Sequence, residues 1–178
     1  MNITLRQMDS ASLHQVDGFE RNSWVNSHLV LHVKDNKISY TIVPVEPYQK
    51  ILTVDPEDYS TFIDNPQKAI FFADVDGIPA GQIKLVPWWN KFCYVEELTV
   101  DTEFRGKGVG RALMNRAIQW AKQQGFPGVT LETQDNNVPA CKFYEKCGFA
   151  LSGFDLYAYR NLDNPSEIAL YWYLIFES

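Results

Sequence analysis

Between Val100 and Gly125 the chain reads VDTEFRGKGVGRALMNRAIQWAKQQG, with glycine at 106, 108 and 110 placed between a run of strand composition and a run of helical periodicity. Val109, Leu113, Ala117, Trp120 and Ala121 fall on one helical face, and Gly125 and Pro127 stop the helix. The first turn of a helix exposes unpaired N–H groups at the positive end of its dipole, so this junction favours an anion. Side chains at 106, 108 and 110 would project into the space a phosphate must occupy, and Arg105, Lys107 and Arg111 surround that space with positive charge. An ordinary glycine-rich strand-to-helix turn would need the glycines but not the basic flank.

Two common phosphate loops do not fit. A nucleoside triphosphate loop needs GxxxxGK followed by Ser or Thr, and RGKGVGRA has neither that spacing nor the hydroxyl. A dinucleotide loop, GxGxxG, would need glycine where Arg111 stands.

The flanking elements follow from local signals. IFFADVDGIPAGQIKLV predicts a hairpin turning at Asp76-Gly77, and FCYVEELTV predicts a strand from Phe92 to Val100. GVTLETQ predicts a short buried strand. NNVPACKFYEKCGF predicts a helix with Pro139 in its first turn and Gly148 at its end. Strands are expected at Phe154–Tyr159 and Ile168–Phe176. Nearer the N-terminus the pattern suggests a strand at Ile3–Gln7, a helix around Ser10–Phe19, a β-rich stretch at Leu29–Val43 turning at Asp35-Asn36, and a short helix at Pro56–Asp64. The proline-bearing stretches around Pro44–Pro56 and Pro87 read as loops. This order predicts a mixed α/β sheet, antiparallel at first and with a parallel crossover through the glycine-turn helix. No internal repeat or linker divides the 178 residues, so one domain is expected.

Composition narrows the function classes. With 46% hydrophobic residues the chain is too apolar for disorder, and no apolar run reaches the roughly 18 to 20 residues of a membrane span. The opening MNITLRQMDS lacks the regions of a secretory signal, so cytoplasmic residence is the expectation. Cys93, Cys141 and Cys147 form no CxxC pair and read as buried thiols. His28 and His32 lie in strand-like sequence, where a four-residue spacing does not suit zinc, and no metal is expected. Sixteen basic against 22 acidic residues give 16 − 22 = −6. That balance argues against a nucleic-acid surface and permits a cationic small molecule. Whether the chain acts alone or as a homodimer is left open.

What does fit is R-x-x-G-x-G at Arg105, Gly108 and Gly110, which resembles the acetyl-CoA pyrophosphate loop of the GNAT N-acetyltransferase superfamily. The resemblance implies a single-domain α/β (α+β) GNAT fold over residues 1–178, with the cofactor motifs at 92–149. It implies acetyl-CoA as co-substrate, its diphosphate held by Arg105, Gly106, Lys107, Gly108, Val109, Gly110 and Arg111. Leu98, Thr99 and Val100 would pair with the pantetheine arm, and Asn137 and Tyr144 would complete the cofactor site from the later helix. LETQDNNVPACKFYEKCGF, GFDLYAY and EIALYWYLIF further resemble the streptothricin acetyltransferases, a group within that superfamily that acetylates an amine of a cationic antibiotic.

Acetyl transfer to an amine needs a neutral nucleophile, stabilisation of an oxyanion and a proton for the departing thiolate. The resemblance gives the last task to Tyr144. Glu96 and Glu97 precede Leu98, and strand alternation predicts that they point to opposite faces. Glu96 matches the position from which such enzymes often steer the amine and is the preferred base, with Glu97 on the substrate side and Glu132 in reserve. Trp88, Trp89 and Tyr94 flank the same strand and offer cation-π contact to a cationic acceptor. Cys141 and Cys147, with no histidine near in sequence, give an acyl-cysteine route little support. Two alternatives stand beside this one: a protein or peptide N-acetyltransferase, and a non-catalytic domain that senses acyl-CoA or docks a partner.

Overall fold

Asp76 and Gly77 take φ angles of 49° and 85°, the two positive values that a tight two-residue turn needs, and the chain reverses there as the sequence suggests. The turn joins β4 (Ala69–Val75) to β5 (Ile78–Pro87) in the computed structural model, which describes residues 1–177. The chain forms two compact units: residues 1–21, 52–129 and the stretch from Ile175 make one, and residues 22–51 and 130–174 the other.

In the first unit β1 (Ile3–Gln7), β4, β5 and β6 (Cys93–Val100) lie side by side, each antiparallel to the next. Residues 69–73 of β4 are fully buried, so both faces of that strand are covered. On one face lies α1 (Val109–Gln123), whose Trp120 meets Phe71 edge-on, ring centroids 6.4 Å apart. On the other face Phe72 joins Met8, Val16, Phe19, Tyr59, Phe62 and Ile70 in a buried apolar cluster. Burial of each such side chain is worth roughly 1.5–3 kcal/mol, so this cluster is a main reason the unit holds together. Every apolar position assigned to α1 from its periodicity is buried.

In the second unit β2 (Asn22–Lys34) and β3 (Lys37–Ile51) form a long antiparallel hairpin that turns at Asp35 and Asn36, both at positive φ. β7 (Gly128–Gln134) enters this unit from the first, α2 (Val138–Lys146) follows, and β9 (Ala169–Ile175) lies between β7 and β8 (Ala150–Asp155). Tyr144 and Trp172 pack with Phe149, giving this unit its own aromatic centre.

Four local expectations are corrected. Ser10–Phe19 is not a helix but a single 3-10 turn at Leu13–Gln15, because Asp9 and Ser12 bond each other's backbone and side chain and so compete with helical pairing. Pro56–Asp64 likewise holds only a 3-10 turn, Tyr59–Phe62, opened by the Asp58 carboxylate accepting from the Ser60 N–H. The prolines at 44 and 47 lie within β3 rather than in a loop. Among the described residues β3 pairs with β2 alone, and the prolines sit at the register shift between the Val25–Tyr48 and Ser27–Pro44 pairs, where a missing N–H costs little. The strand expected at Phe154–Tyr159 ends at Asp155, whose carboxylate accepts from the Tyr157 N–H and turns the chain.

Candidate active site

The glycine turn is held open by its own backbone. After the 3-10 turn Thr102–Phe104, the Arg105 side chain donates from Nε to the Val100 carbonyl at 2.8 Å, tying the turn to the end of β6. Gly106 and Gly108 follow at φ +74° and +90°, a region that side-chain-bearing residues rarely adopt, and an added Cβ at either would meet nothing within 4 Å. Gly108 begins α1 without any side-chain cap and with no acidic residue in the first turn. The helix end therefore presents N–H groups that its cap residue's side chain does not cover, with open room beside Gly106 and Gly108, the arrangement an anion requires.

β6 itself carries an irregularity that its sequence did not reveal. Lys84 of β5 pairs with Glu97 and Leu85 with Val95, so Glu96 has no cross-strand partner and forms a bulge. The bulge cancels the alternation expected for the two glutamates. Glu96 lies 2.9 Å from the Lys84 ammonium, and Lys84 sits over the Tyr59 ring. The Tyr59 hydroxyl donates to Asp17 at 2.9 Å, Asp17 is 3.6 Å from Arg21, and Arg21 holds Glu97 at 2.8 Å. Both glutamates thus join one chain of polar contacts. Burial alone would pull the Lys84 ammonium down, but Glu57 and Glu96 outweigh it and keep it charged.

Nothing in the sequence pointed to Asp17, Arg21, Tyr59 or Lys84, because their partners lie far along the chain. Trp88 and Tyr94 stack on each other with centroids 4.1 Å apart, while Trp89 is 83% exposed. Thr99 is buried and donates to Glu97 at 2.8 Å, between the half-buried Leu98 and Val100.

The remaining predicted residues belong to the second unit. Asn137 caps α2, its side-chain oxygen accepting from the Ala140 N–H at 3.3 Å. Tyr144, one turn of helix beyond Ala140, is buried with its ring against Phe143, Phe149 and Trp172. Glu132 on β7 accepts a hydrogen bond from the Tyr159 hydroxyl, and burial pushes its carboxyl up to about 7 against the opposing pull of Lys50. That places Glu132 where a group exchanges protons near neutrality. Burial drives the Cys93 and Cys141 thiols up to about 12, which disfavours nucleophilic thiolates. Among the described residues no cluster of three histidine, cysteine or acidic side chains is arranged to hold a metal, and no helix is long and apolar enough to cross a membrane.

The scaffold of the site is a strand interrupted by a bulge, followed by a glycine-opened helix that no side chain caps. The chain belongs to the acetyltransferase (GNAT) family, which it matches over residues 39–149. It is 39% identical over 131 residues to streptothricin acetyltransferase A of Bacillus subtilis (strain 168), covering 74% of this chain and 75% of that one. It is 38% identical over 145 residues to streptothricin acetyltransferase of Escherichia coli, covering 80% and 79%. Among solved structures it overlays with a TM-score of 0.91 and 39% identity on a Bacillus anthracis str. Ames protein described as a streptothricin acetyltransferase and crystallised with acetyl coenzyme A, covering 99% and 100% of the two chains. Nourseothricin acetyltransferase overlays at 0.81 with 27% identity, covering 98% and 99%. The fold is accordingly the α+β GNAT fold, a mixed central sheet flanked by two helices, and the chain is an N-acetyltransferase.

Proposed function

We propose that this enzyme moves the acetyl group of acetyl-CoA to a primary amine of streptothricin by direct attack, detoxifying the antibiotic in the cytoplasm. The observation that carries this reading is the overlay along nearly the whole chain on a relative crystallised with acetyl coenzyme A and described by that activity. We take residues 1–178 to serve as one GNAT domain.

In the first unit, N–H groups between Arg105 and Arg111 hold the diphosphate, the Arg105 N–H itself being bonded to the Thr102 carbonyl, and main-chain groups of Leu98, Thr99 and Val100 pair with the pantetheine arm. An N–H freed by the bulge at Glu96 faces the oxyanion. Glu96 and Glu97, both engaged by cations, anchor positive charge, and Trp88 and Tyr94 add an aromatic wall for the cationic acceptor.

In the second unit, Asn137 addresses the cofactor with the half of its amide that does not cap α2. Glu132 replaces Glu96 as the base: it takes a proton from the ammonium, and the neutral amine then attacks the thioester carbon. The C–S bond breaks, Tyr144 protonates the departing thiolate, and the surplus proton on the new amide nitrogen restores the Tyr144 phenol. No acetyl group passes through the enzyme, in keeping with thiols driven far above neutrality.

The test compares CoA release with streptothricin and with a panel of peptides and polyamines. Release with streptothricin alone supports the reading. Release only with peptides transfers it to a protein N-acetyltransferase, and binding of acetyl-CoA without release under any condition makes the chain an acyl-CoA sensor.

A further inference from the structure

The break in β6 is a joint between two opposite pairings of side chains, all within the first unit. Ahead of it Cys93 and Val95 lie opposite Pro87 and Leu85, and beyond it Glu97 and Thr99 lie opposite Lys84 and Gln82. Odd-numbered residues of β6 thus face the odd-numbered side of β5 before the joint and its even-numbered side after it. Cys93, Val95, Leu85 and Gln82 are all buried, so packing on both sides of the joint fixes the extra residue at Glu96.

Packing does not fix where Glu96 points, because its side chain is 39% exposed and it has no partner on β5. Lys84 does. Its main chain pairs with Glu97, beside the joint, and its Nζ reaches back to Glu96 Oε2 at 2.9 Å. The ammonium is itself anchored, donating to Glu57 Oε2 at 2.7 Å and lying 5.5 Å from the centre of the Tyr59 ring and 6.0 Å from that of Phe62. Only 5% of the Lys84 side chain is exposed. Two neighbouring carboxylates reach this face, and each has its own cation, Lys84 for Glu96 and Arg21 for Glu97. The Arg21 pair lies beyond the joint, where pairing is regular, so Lys84 is the cation that acts on the bulged residue itself.

We propose that Lys84 is a positioning residue for acetyl transfer: its anchored ammonium holds the Glu96 carboxylate and so orients the bulged peptide whose N–H meets the oxyanion. This rests on the reading that an N–H freed by the bulge faces the oxyanion.

Lys84 needs no contact with substrate to do this. Oxyanion stabilisation depends on donors aimed before charge develops, so a peptide that can swivel loses catalysis while the strand survives. A bulged residue lacks, on one edge, the cross-strand pairing that stops such swivelling elsewhere in a sheet. An ion pair from the neighbouring strand stands in for it.

The experiment combines steady-state kinetics on streptothricin with the infrared carbonyl band of bound acetyl-CoA, labelled with carbon-13 at the thioester carbon and measured without the antibiotic. In the unaltered enzyme the band should lie below its position for acetyl-CoA in buffer, because the N–H polarises the carbonyl. Lys84→Met should return it toward that position, lower kcat by roughly 10–100-fold and leave KM for acetyl-CoA within about twofold. Lys84→Arg should keep the band low and restore most of kcat. Glu57→Gln removes one anchor of the ammonium and leaves the Glu96 pair, so it should give an intermediate band and a smaller loss of kcat. It keeps the test decisive where Lys84→Met fails to fold. A band that stays low in these two variants, or a kcat that falls only in step with acetyl-CoA affinity, overturns the inference and leaves Lys84 a structural cation. The underlying reading fails differently: a band in the unaltered enzyme that coincides with that of acetyl-CoA in buffer shows that no N–H polarises the carbonyl, and the inference falls with it.

Discussion

Arg21 grips Glu97 with two nitrogens, Nε to Oε1 at 2.8 Å and Nη2 to Oε2 at 3.3 Å, with only 14% and 13% of the two side chains exposed. The pair joins the segment after the first 3-10 turn to the middle of β6. Arg21→Ala would leave the largely buried Glu97 carboxylate beside Thr99 without its cation, and leaving such a group without its partner typically costs about 1–3 kcal/mol. Urea unfolding should show a lower midpoint at unchanged slope, with part of the loss recovered in Arg21→Ala/Glu97→Ala. A loss under about 1 kcal/mol, the range of surface pairs, would contradict the burial described here.

The raised Glu132 carboxyl makes a second prediction, about stability. Its folded value of about 7 lies above its ordinary 4.5, so between those values the folded state binds more protons than the unfolded chain. Stability contributed at this position is therefore fully present below about pH 4.5 and falls as pH rises toward about 7. Glu132→Gln removes that decline. The variant should gain on the parent protein as pH rises through this window, read as a growing difference in thermal midpoint, and a difference that shrinks would reverse the sign of the shift.

Gly108 gives a prediction in which the protein and the cofactor separate. At φ +90° an alanine is strained by about 1–2 kcal/mol, yet its methyl group meets no protein atom within 4 Å. Gly108→Ala should lower stability by about that amount. Gly108→Asp, which adds bulk and negative charge in the open room, should abolish acetyl-CoA binding by calorimetry while folding as well as Gly108→Ala. An unchanged dissociation constant in the aspartate variant would place the diphosphate elsewhere.

Tyr144 supplies the last of these. Its ring is packed on three sides, so Tyr144→Phe keeps the packing and deletes only the hydroxyl. A general acid is worth roughly 10²–10⁴ in rate, and kcat should fall within that range with acetyl-CoA affinity nearly intact. Equal losses in affinity and kcat would make the hydroxyl a binding group instead.

The parts of this molecule that sequence makes legible are those whose physics is local. Glycines at positive φ, an apolar stripe on α1, Asp76-Gly77 at a hairpin and Pro139 opening α2 all act within a few residues, and each lies where its pattern places it. The bulge at Glu96 was hidden because register is decided by the strand opposite, here by Lys84 and Leu85. Ser10–Phe19 suggests a helix in sequence but folds only as the 3-10 turn Leu13–Gln15, because the Asp9–Ser12 bonds outweigh helical pairing. The full length of β3 is not legible because Pro44 and Pro47 signal a loop unless the strand has an unpaired edge. For the site, Lys84 carries no motif, and only folding brings it between Glu57 and Glu96. Choosing among Glu96, Glu97 and Glu132 required knowing which carboxylates already have cations.

The central claim is direct transfer from acetyl-CoA to the antibiotic. Mass spectrometry of a mixture of enzyme, acetyl-CoA and streptothricin, following protein and small molecules together, tests it most directly. The account predicts one acetyl group gained by streptothricin, CoA released in equal amount, and no acetylated form of the enzyme at any time. Streptothricin recovered unaltered, or an acetyl group that appears first on the protein and only later on the antibiotic, would contradict it.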